Sequence, residues 1–232
     1  MPCKKNLRFV DTDGRARAGS QRQIQTWVNE LEVDFSQRVL GVLDPSAGPD
    51  ARLRWVSPLA NDMFNEYQDA EFLDKLGLSK YSDELSEFWP KGGPCWDGLA
   101  VVDALGHSGI LLVEAKSHIS EMESACRAGG RSRNKIEQAL ALTAANLGVS
   151  VNSCWTGHYY QTANRYAHLH FLRNIARVPA WLLNVYFVGD QRSRTSREEW
   201  REALEQVKER MGFRGKPVPF ACELFLEAVN AK

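Results

Sequence analysis

The chain has 232 residues, of which 44% are hydrophobic and 25% are charged, as in ordinary globular proteins. This composition excludes intrinsic disorder, a collagen-like chain and a coiled coil, and a chain of this length can bury a core without disulfide or metal staples. Lysine and arginine together number 29, and so do aspartate and glutamate, so the net charge gives no argument for a nucleic-acid partner.

The sequence also gives expectations about compartment. No apolar run approaches the ~18–20 residues of a membrane-spanning helix, and no signal-peptide core follows Met1–Lys5. The five cysteines are widely spaced without a CxxC pair, which favours reduced thiols over a disulfide framework or a zinc site. We therefore expect a cytoplasmic protein with no membrane partner. A homodimer is possible.

The first third of the chain predicts an arm, two helices and a strand. Residues 1–20 are basic and patternless, which is typical of a loose arm. Apolar residues from Ile24 to Val39 recur at helical spacing and predict a helix over about 21–40. A short strand is predicted at about 52–58. A second helix is predicted over about 61–76, with Gly77 as its C-terminal stop.

The centre of the chain predicts a β-hairpin. Its strands lie at about 96–105 and 110–117, and Gly106–Gly109 supplies the turn. The second strand is apolar on both faces from Ile110 to Val113, which is typical of a central strand buried on both sides. Helices over about 133–147 and 160–175 follow.

The last part predicts a strand and a helix. Trp181–Val188 is an apolar strand, and Ser196 with Glu199 forms a capping box at the start of a helix. Residues 218–229 are either a strand or a helix. The whole order predicts a single α/β domain over 21–232, with a central mixed sheet and helices on both of its faces. Trp27, Trp181 and Trp200 are expected core anchors.

Three charged residues of the hairpin point to chemistry. Glu114 and Lys116 alternate onto the same face of an otherwise apolar strand, where unpaired charges are costly. Asp97 lies on the preceding strand. With the turn at Gly106–Gly109, Asp97 is expected opposite the region of Ser117–Ile119, and the pleat lets it approach Glu114 and Lys116. Two carboxylates can hold Mg²⁺ or Mn²⁺, and a lysine can orient water or stabilise negative charge at a phosphodiester.

The pattern of Asp97 followed by Glu114-Ala115-Lys116 on two strands of a hairpin resembles the PD-(D/E)XK, or restriction-endonuclease-like, superfamily. The resemblance covers about residues 60–190 and implies a core of a helix, a three-stranded meander, a helix and a further strand. It implies a Mg²⁺- or Mn²⁺-dependent nuclease, acting on DNA more than on RNA, with Asp97, Glu114 and Lys116 as catalytic residues. Pro94 departs from the pattern because it stands three positions before Asp97.

Several further residues are candidates for the site. The resemblance implies a metal-binding carboxylate on the first core helix, for which Glu66 is preferred over Glu71, and a glutamine on the helix after the second hairpin strand, Gln138. Leu142 weakens an exonuclease-like interpretation. Gln161 and Arg165 share one helical face and can contact phosphate or the site. His118 alternates onto the face of Lys116, which places it at the rim.

The neutral charge hides two unequal parts. Residues 1–126 carry 13 basic and 20 acidic side chains, and residues 127–217 carry 15 basic and 7 acidic ones. The basic part begins with a loop of candidate nucleic-acid-binding residues, namely Arg127, Arg131, Arg133 and Lys135.

Two alternatives stay open. The first is a nucleic-acid-binding or complex-forming module on the same fold without catalytic turnover. The second is an unrelated α/β protein in which Glu114 and Lys116 form a structural ion pair.

Overall fold

A computed structural model describes residue 3 and residues 9–43, 47–104 and 107–229. Its centre is a mixed five-stranded sheet in the order β1–β2–β3–β4–β5. The strands are β1 Arg52–Ser57, β2 Gly98–Ala104, β3 His107–Lys116, β4 Ala180–Val188 and β5 Ala221–Glu227. β1, β2 and β3 pair in antiparallel fashion, whereas β4 and β5 continue the sheet parallel to β3. The α/β class and the mixed sheet are therefore confirmed.

Eight α-helices cover the two faces of this sheet in the described part of the chain. They are α1 Gly19–Asn29, α2 Glu32–Leu40, α3 Asp69–Lys75, α4 Ser82–Phe88, α5 Gly130–Asn146, α6 Ser153–Gly157, α7 Tyr160–His170 and α8 Arg197–Arg210. A turn of π-helix, Phe171–Ile175, extends α7. None of the described helices combines the length and the apolar character that a membrane crossing needs.

The alternation of β3 divides the core into two layers. Leu111 and Val113 pack with α1 and α2, whereas Ile110 and Leu112 pack with α3 to α8. All four residues are buried, so the expected central strand is confirmed. Glu114 and Lys116 continue the Ile110 and Leu112 side of the strand. Their side chains therefore lie on the face that α7 covers.

The predicted tryptophan anchors are confirmed. Trp27, Trp181 and Trp200 are all buried, and Trp200 Nε1 donates to the Phe187 carbonyl at 3.0 Å. The capping box of α8 is also present, because Ser196 and Glu199 exchange side-chain and backbone hydrogen bonds. The undecided segment 218–229 contains a strand, β5, at the edge of the sheet.

The predicted helix over 21–40 is two helices. The first helix ends at Asn29 and the second begins at Glu32, so the apolar spacing continues across a break. Phe35 of the second helix stacks on Trp55 of β1 with ring centroids 4.8 Å apart. The break turns the chain so that both helices lie on the same face of the sheet.

The predicted helix over 61–76 is wrong for most of its length. Only Asp69–Lys75 is α-helical, and Ala60–Asp62 forms a short 3₁₀ turn. Met63 and Phe64 have positive φ values, which a helix does not allow, and Tyr67 bridges to Trp96 as in a sheet. Phe64 and Tyr67 are buried by this irregular backbone, whereas Met63 is exposed.

The predicted hairpin turn at Gly106–Gly109 is displaced. His107, Ser108 and Gly109 belong to β3 and pair with Ala104, Asp103 and Val102. Residues 105 and 106 lie outside the described residues. The shorter connection changes the register of the hairpin by several residues.

The structure describes only part of the predicted N-terminal arm. Within residues 9–20, Val10 and Ala16 form an antiparallel bridge and both are buried, so this part is not patternless. Cys3 is disulfide-bonded to Cys95, with Cα atoms 6.2 Å apart. The expectation of reduced thiols is therefore wrong for this pair. Reduced thiols are one reason to expect a cytoplasmic location, and that reason does not hold for Cys3 and Cys95.

Gly109 allows β3 to pack closely against Pro179 and Trp181, at the start of β4. A Cβ atom at this position would lie 2.9 Å from the Pro179 carbonyl oxygen and 3.0 Å from Trp181 Cη2. We expect Gly109→Ala to lower the free energy of unfolding by about 1–3 kcal/mol, because neither a ring nor a backbone group moves easily. Urea unfolding measures this change.

Gly157→Ala in α6 is the matched control, since no atom lies within 4 Å of its added Cβ. We expect this variant to be as stable as the wild type or more stable. Equal stability of the two variants would contradict the close approach of Gly109 to Trp181.

Candidate active site

Asp97 is placed beside Glu114 by the register of the hairpin. Gly98 pairs with Val113, so the residue before Gly98 lies next to the residue after Val113. Asp97 Oδ2 accepts a hydrogen bond from the Ala115 N–H at 2.7 Å. The expectation that Asp97 faces Ser117–Ile119 is therefore wrong, but its approach to Glu114 and Lys116 is direct.

Glu114 is buried, with 5% of its surface exposed, and both of its carboxylate oxygens are paired. Lys116 Nζ contacts Oε1, as expected for two residues on one face of a strand. Arg165 of α7 contacts Oε2 through Nε at 2.5 Å. A carboxylate on a central strand is thus neutralised from its own strand and from the helix above it.

Arg165 is held in place by two further hydrogen bonds and a cation–π contact. Nη1 donates to Asn164 Oδ1 at 2.7 Å, and Nη2 donates to the Cys95 carbonyl at 3.2 Å. The guanidinium lies 5.0 Å from the centroid of the Trp96 ring, which is a cation–π distance. The arginine therefore links α7 to β3 and to the segment that leads into Asp97.

The pKa values of the two carboxyl groups move in opposite directions. Burial raises the pKa of Glu114, but the positive charges of Arg165 and Lys116 outweigh burial and hold it below its ordinary value. Burial raises the pKa of Asp97 well above its ordinary value, and the negative charges of Glu114 and Glu66 raise it further. Glu114 thus favours its charged form more, and Asp97 favours it less, than a free carboxyl group does.

Glu66 belongs to this group, although it does not lie on a helix. It precedes α3, its carbonyl accepts from the Cys3 N–H at 2.9 Å, and its side chain is largely buried. Gln21 Nε2 of α1 donates to Glu66 Oε1 at 2.7 Å. The resemblance places the third carboxylate on a helix, whereas here α1 reaches the carboxylate through Gln21.

Glu114 and Lys116 line a small pocket of about 30 Å³. An open cleft of about 410 Å³ borders Asp97 and Glu66. Gln161 and Arg165 line it, together with Glu66, Asp97, Cys95, Ser124, Tyr160 and Asn164. The Gln161 N–H donates to Ser124 Oγ at 2.7 Å, which fixes the start of α7 at the wall of the cleft. The cleft gives a ligand access to Asp97 and to the guanidinium of Arg165.

A row of polar side chains continues from Glu114 across the sheet. Glu114 pairs in register with Asn184 of β4, and Asn184 with Glu223 of β5. Lys208 of α8 forms an ion pair with Glu223 at 3.1 Å. Asn184 interrupts the apolar run Trp181–Val188, and this interruption is the sequence signal that could have revealed the row.

Two predicted site residues lie elsewhere. His118 is exposed and caps the 3₁₀ turn Ile119–Met122, where its side chain accepts from the Ser120 N–H. Gln138 is exposed on α5, whereas Ile136, Ala139 and Leu140 turn to the core. Because β3 ends at Lys116, alternation no longer places His118 on the face of the site.

The predicted basic loop is a loop only at Arg127, because Arg131, Arg133 and Lys135 lie on α5. Arg127 follows closely after Ser124, which lines the cleft, and both Arg127 and Arg131 are exposed. Arg133 forms an ion pair with Glu137 at 2.6 Å, and Lys135 Nζ donates to the Ser86 carbonyl at 2.8 Å. Arg127 and Arg131 thus have more freedom to contact a ligand than the other two.

Comparisons with protein-family models, with curated proteins and with solved structures found no match to this chain. Among the described residues, no three histidine, cysteine or acidic side chains come close enough to form a ready-made metal site. The candidate metal ligands are therefore Asp97, Glu114 and Glu66.

The raised pKa of Asp97 gives a pH-dependent prediction. Protonated Asp97 favours the fold, and this contribution is lost as pH rises through the raised pKa. We expect the melting temperature of the wild type, relative to that of Asp97→Asn, to be lower at about pH 8 than at about pH 5. Mn²⁺ should restore stability at the higher pH, since a cation favours ionised Asp97.

Thermal unfolding with and without Mn²⁺ at the two pH values tests this expectation. Asp103→Asn is the control, because Asp103 is an exposed carboxylate on β2, the strand that follows Asp97. This variant should behave as the wild type. A Mn²⁺ shift that survives unchanged in Asp97→Asn would show that the metal binds elsewhere.

Proposed function

We propose that the protein is a metal-dependent nuclease that hydrolyses phosphodiester bonds of nucleic acid, DNA more than RNA, at Asp97, Glu114 and Lys116. The observation that carries the proposal is Asp97, which lines the open cleft and accepts from the Ala115 N–H, between Glu114 and Lys116. A carboxyl group whose pKa is perturbed by burial and by nearby charges is found at functional sites more often than elsewhere.

The residues present fit a Mg²⁺ or Mn²⁺ ion. Mg²⁺ in phosphoryl-transfer sites usually takes one or two protein carboxylates, with waters and substrate phosphate as its other ligands. Asp97 and Glu114 would supply these carboxylates, with Glu66 near by. The raised pKa of Asp97 has the direction that a bound cation would reverse. When bound, the ion polarises a phosphate oxygen and activates a water.

The protein side chains would have separate roles in the reaction. Lys116, held against Glu114, carries the ammonium that orients the attacking water or stabilises charge on the phosphate. Arg165 offers a second fixed positive charge and lines the cleft, so it can approach a phosphate oxygen. Gln161 stands one helical turn before it at the same wall.

The topology supports the resemblance to the PD-(D/E)XK superfamily. The antiparallel meander β1–β2–β3, then α5, then the parallel strand β4 follow the order that the resemblance implies. The helix before the meander would be α1 with α2, not the segment 61–76. The exposed Arg127 and Arg131, with Arg133 and Lys135, would hold the backbone of the nucleic acid next to the cleft.

One observation favours the alternative of a module without turnover. Both oxygens of Glu114 are already paired by Lys116 and Arg165, so this buried ion group is satisfied without a metal. Such a module would bind nucleic acid without dependence on divalent ions.

Cleavage assays separate the two functions. We expect labelled single-stranded DNA, double-stranded DNA or RNA to be cut in Mg²⁺ or Mn²⁺, and not in EDTA. Lys116→Ala removes positive charge at the reacting phosphate, and Asp97→Asn removes a carboxylate that would hold the metal ion. Each variant should lower the rate at least about 100-fold.

Lys75→Ala is the matched control for Lys116→Ala. Lys75 also pairs with a carboxylate, Asp62, at 3.0 Å, but lies outside the cleft. Its loss should leave the rate unchanged. Cleavage that persists in both site variants would refute the mechanism, and metal-independent binding without cleavage would support the alternative.

A further inference from the structure

A second concave region lies at the start of α1. It is a cavity of about 510 Å³, and we call it the arginine pocket because Arg17, Arg22 and Arg192 line it. Arg17 and Arg22 come from the chain around the start of α1, and Arg192 comes from the turn after β4. The pocket shares none of its lining residues with the cleft over Asp97.

The arginine pocket and the candidate active site share one turn of α1. Gln21 reaches Glu66, whereas its neighbour Arg22 lines the pocket. The turn after β4 lies at the same end of the sheet as Lys116, because β3 and β4 are parallel and Lys116 pairs with Tyr186. A strand of nucleic acid lying in the cleft can therefore continue toward the pocket.

The acidic residues of the pocket are engaged by other groups. Glu30 forms an ion pair with Arg15. Asp190 is buried and accepts from Gln23 Nε2 at 3.1 Å and from the Arg192 N–H at 3.0 Å. The third, Asp11, accepts the N–H groups of Asp13 and Arg15 in a tight turn.

The guanidinium groups of the three arginines lack acidic partners among the described residues. Arg17 Nε donates to the Val10 carbonyl at 3.3 Å, and none of the three guanidinium groups forms an ion pair with an acidic residue that the structure describes. Guanidinium groups with free donors around a cavity match the oxygens of a phosphate, which they can bind in a bidentate fashion.

We propose that the arginine pocket binds a phosphate group of the nucleic acid, away from the bond that is cut. This inference rests on the proposed function and adds a second point of attachment to it. The phosphate is either a terminal monoester or an internal phosphodiester, and both offer the same oxygens to the arginines. The substrate is then a strand that engages the cleft and the pocket together.

Binding in EDTA tests the inference without cleavage. The probes are single-stranded oligonucleotides of one sequence, with and without a 5′-phosphate or a 3′-phosphate, followed by fluorescence anisotropy over a range of salt. We expect Arg22→Gln and Arg192→Gln each to weaken binding about 10-fold and to reduce the salt slope by about 1. A preference for one phosphorylated end identifies a terminal monoester, and equal binding identifies an internal phosphodiester.

Arg54→Gln is the matched control, because Arg54 is an exposed arginine on β1 whose nearest carboxylate oxygen is 3.9 Å away. Circular dichroism checks that each variant is folded. Affinities of the pocket variants equal to that of Arg54→Gln would overturn the inference, and so would a wild type that binds no oligonucleotide.

The failure of this inference and the failure of the proposed function are distinguishable. Cleavage that depends on Lys116, with binding unaffected by Arg22 and Arg192, removes only the arginine pocket. Binding that depends on the two arginines, without cleavage in any divalent ion, keeps the pocket and removes the nuclease.

Discussion

The buried carboxylate of Glu114 is the constraint on which the rest of the site depends. A negative charge on a central strand between two helical layers is tolerated only when positive groups reach it. Lys116 reaches it from the same strand and Arg165 from α7, and Arg165 also holds the Cys95 carbonyl and faces Trp96. The charge of one glutamate thus fixes the position of a helix and of the segment that carries Asp97.

Local pattern was enough to find the centre of this arrangement. The apolar run of β3 and the alternation of Glu114 and Lys116 depend only on neighbouring residues, and both appear in the structure as expected. The position of Asp97 depended on a turn of uncertain length, and its exact neighbours could not be read from the sequence. Gln21 and Asn184 reach the site from distant elements, so periodicity could not assign them a partner.

The segment around Glu66 shows a different limit of sequence reasoning. Phe64 and Tyr67 are three positions apart, a spacing that fits one face of a helix, and both are buried. Burial is what the pattern reports, and an irregular backbone with positive φ at Phe64 and Asp69 achieves it equally well. The resemblance assigns Glu66 to the first core helix, whereas in the structure it precedes α3, contacts Gln21 and lies near Asp97.

The fold also changes the interpretation of the neutral net charge. Glu66, Asp97 and Arg165 line the cleft, and Arg17, Arg22 and Arg192 line the arginine pocket together with Asp11, Glu30 and Asp190. A neutral net charge therefore does not mean that the concave surfaces lack charged side chains.

The separation of Glu114 and Arg165 along the chain has a consequence for folding. The two residues are 51 positions apart, whereas β2 and β3, the hairpin that contains Glu114, pair at separations of 3 to 15 positions. Contacts between near residues close smaller loops and form faster than distant ones. If the hairpin forms first, Glu114 is without its guanidinium partner until α7 docks. That docking step then completes both the core and the ion pair.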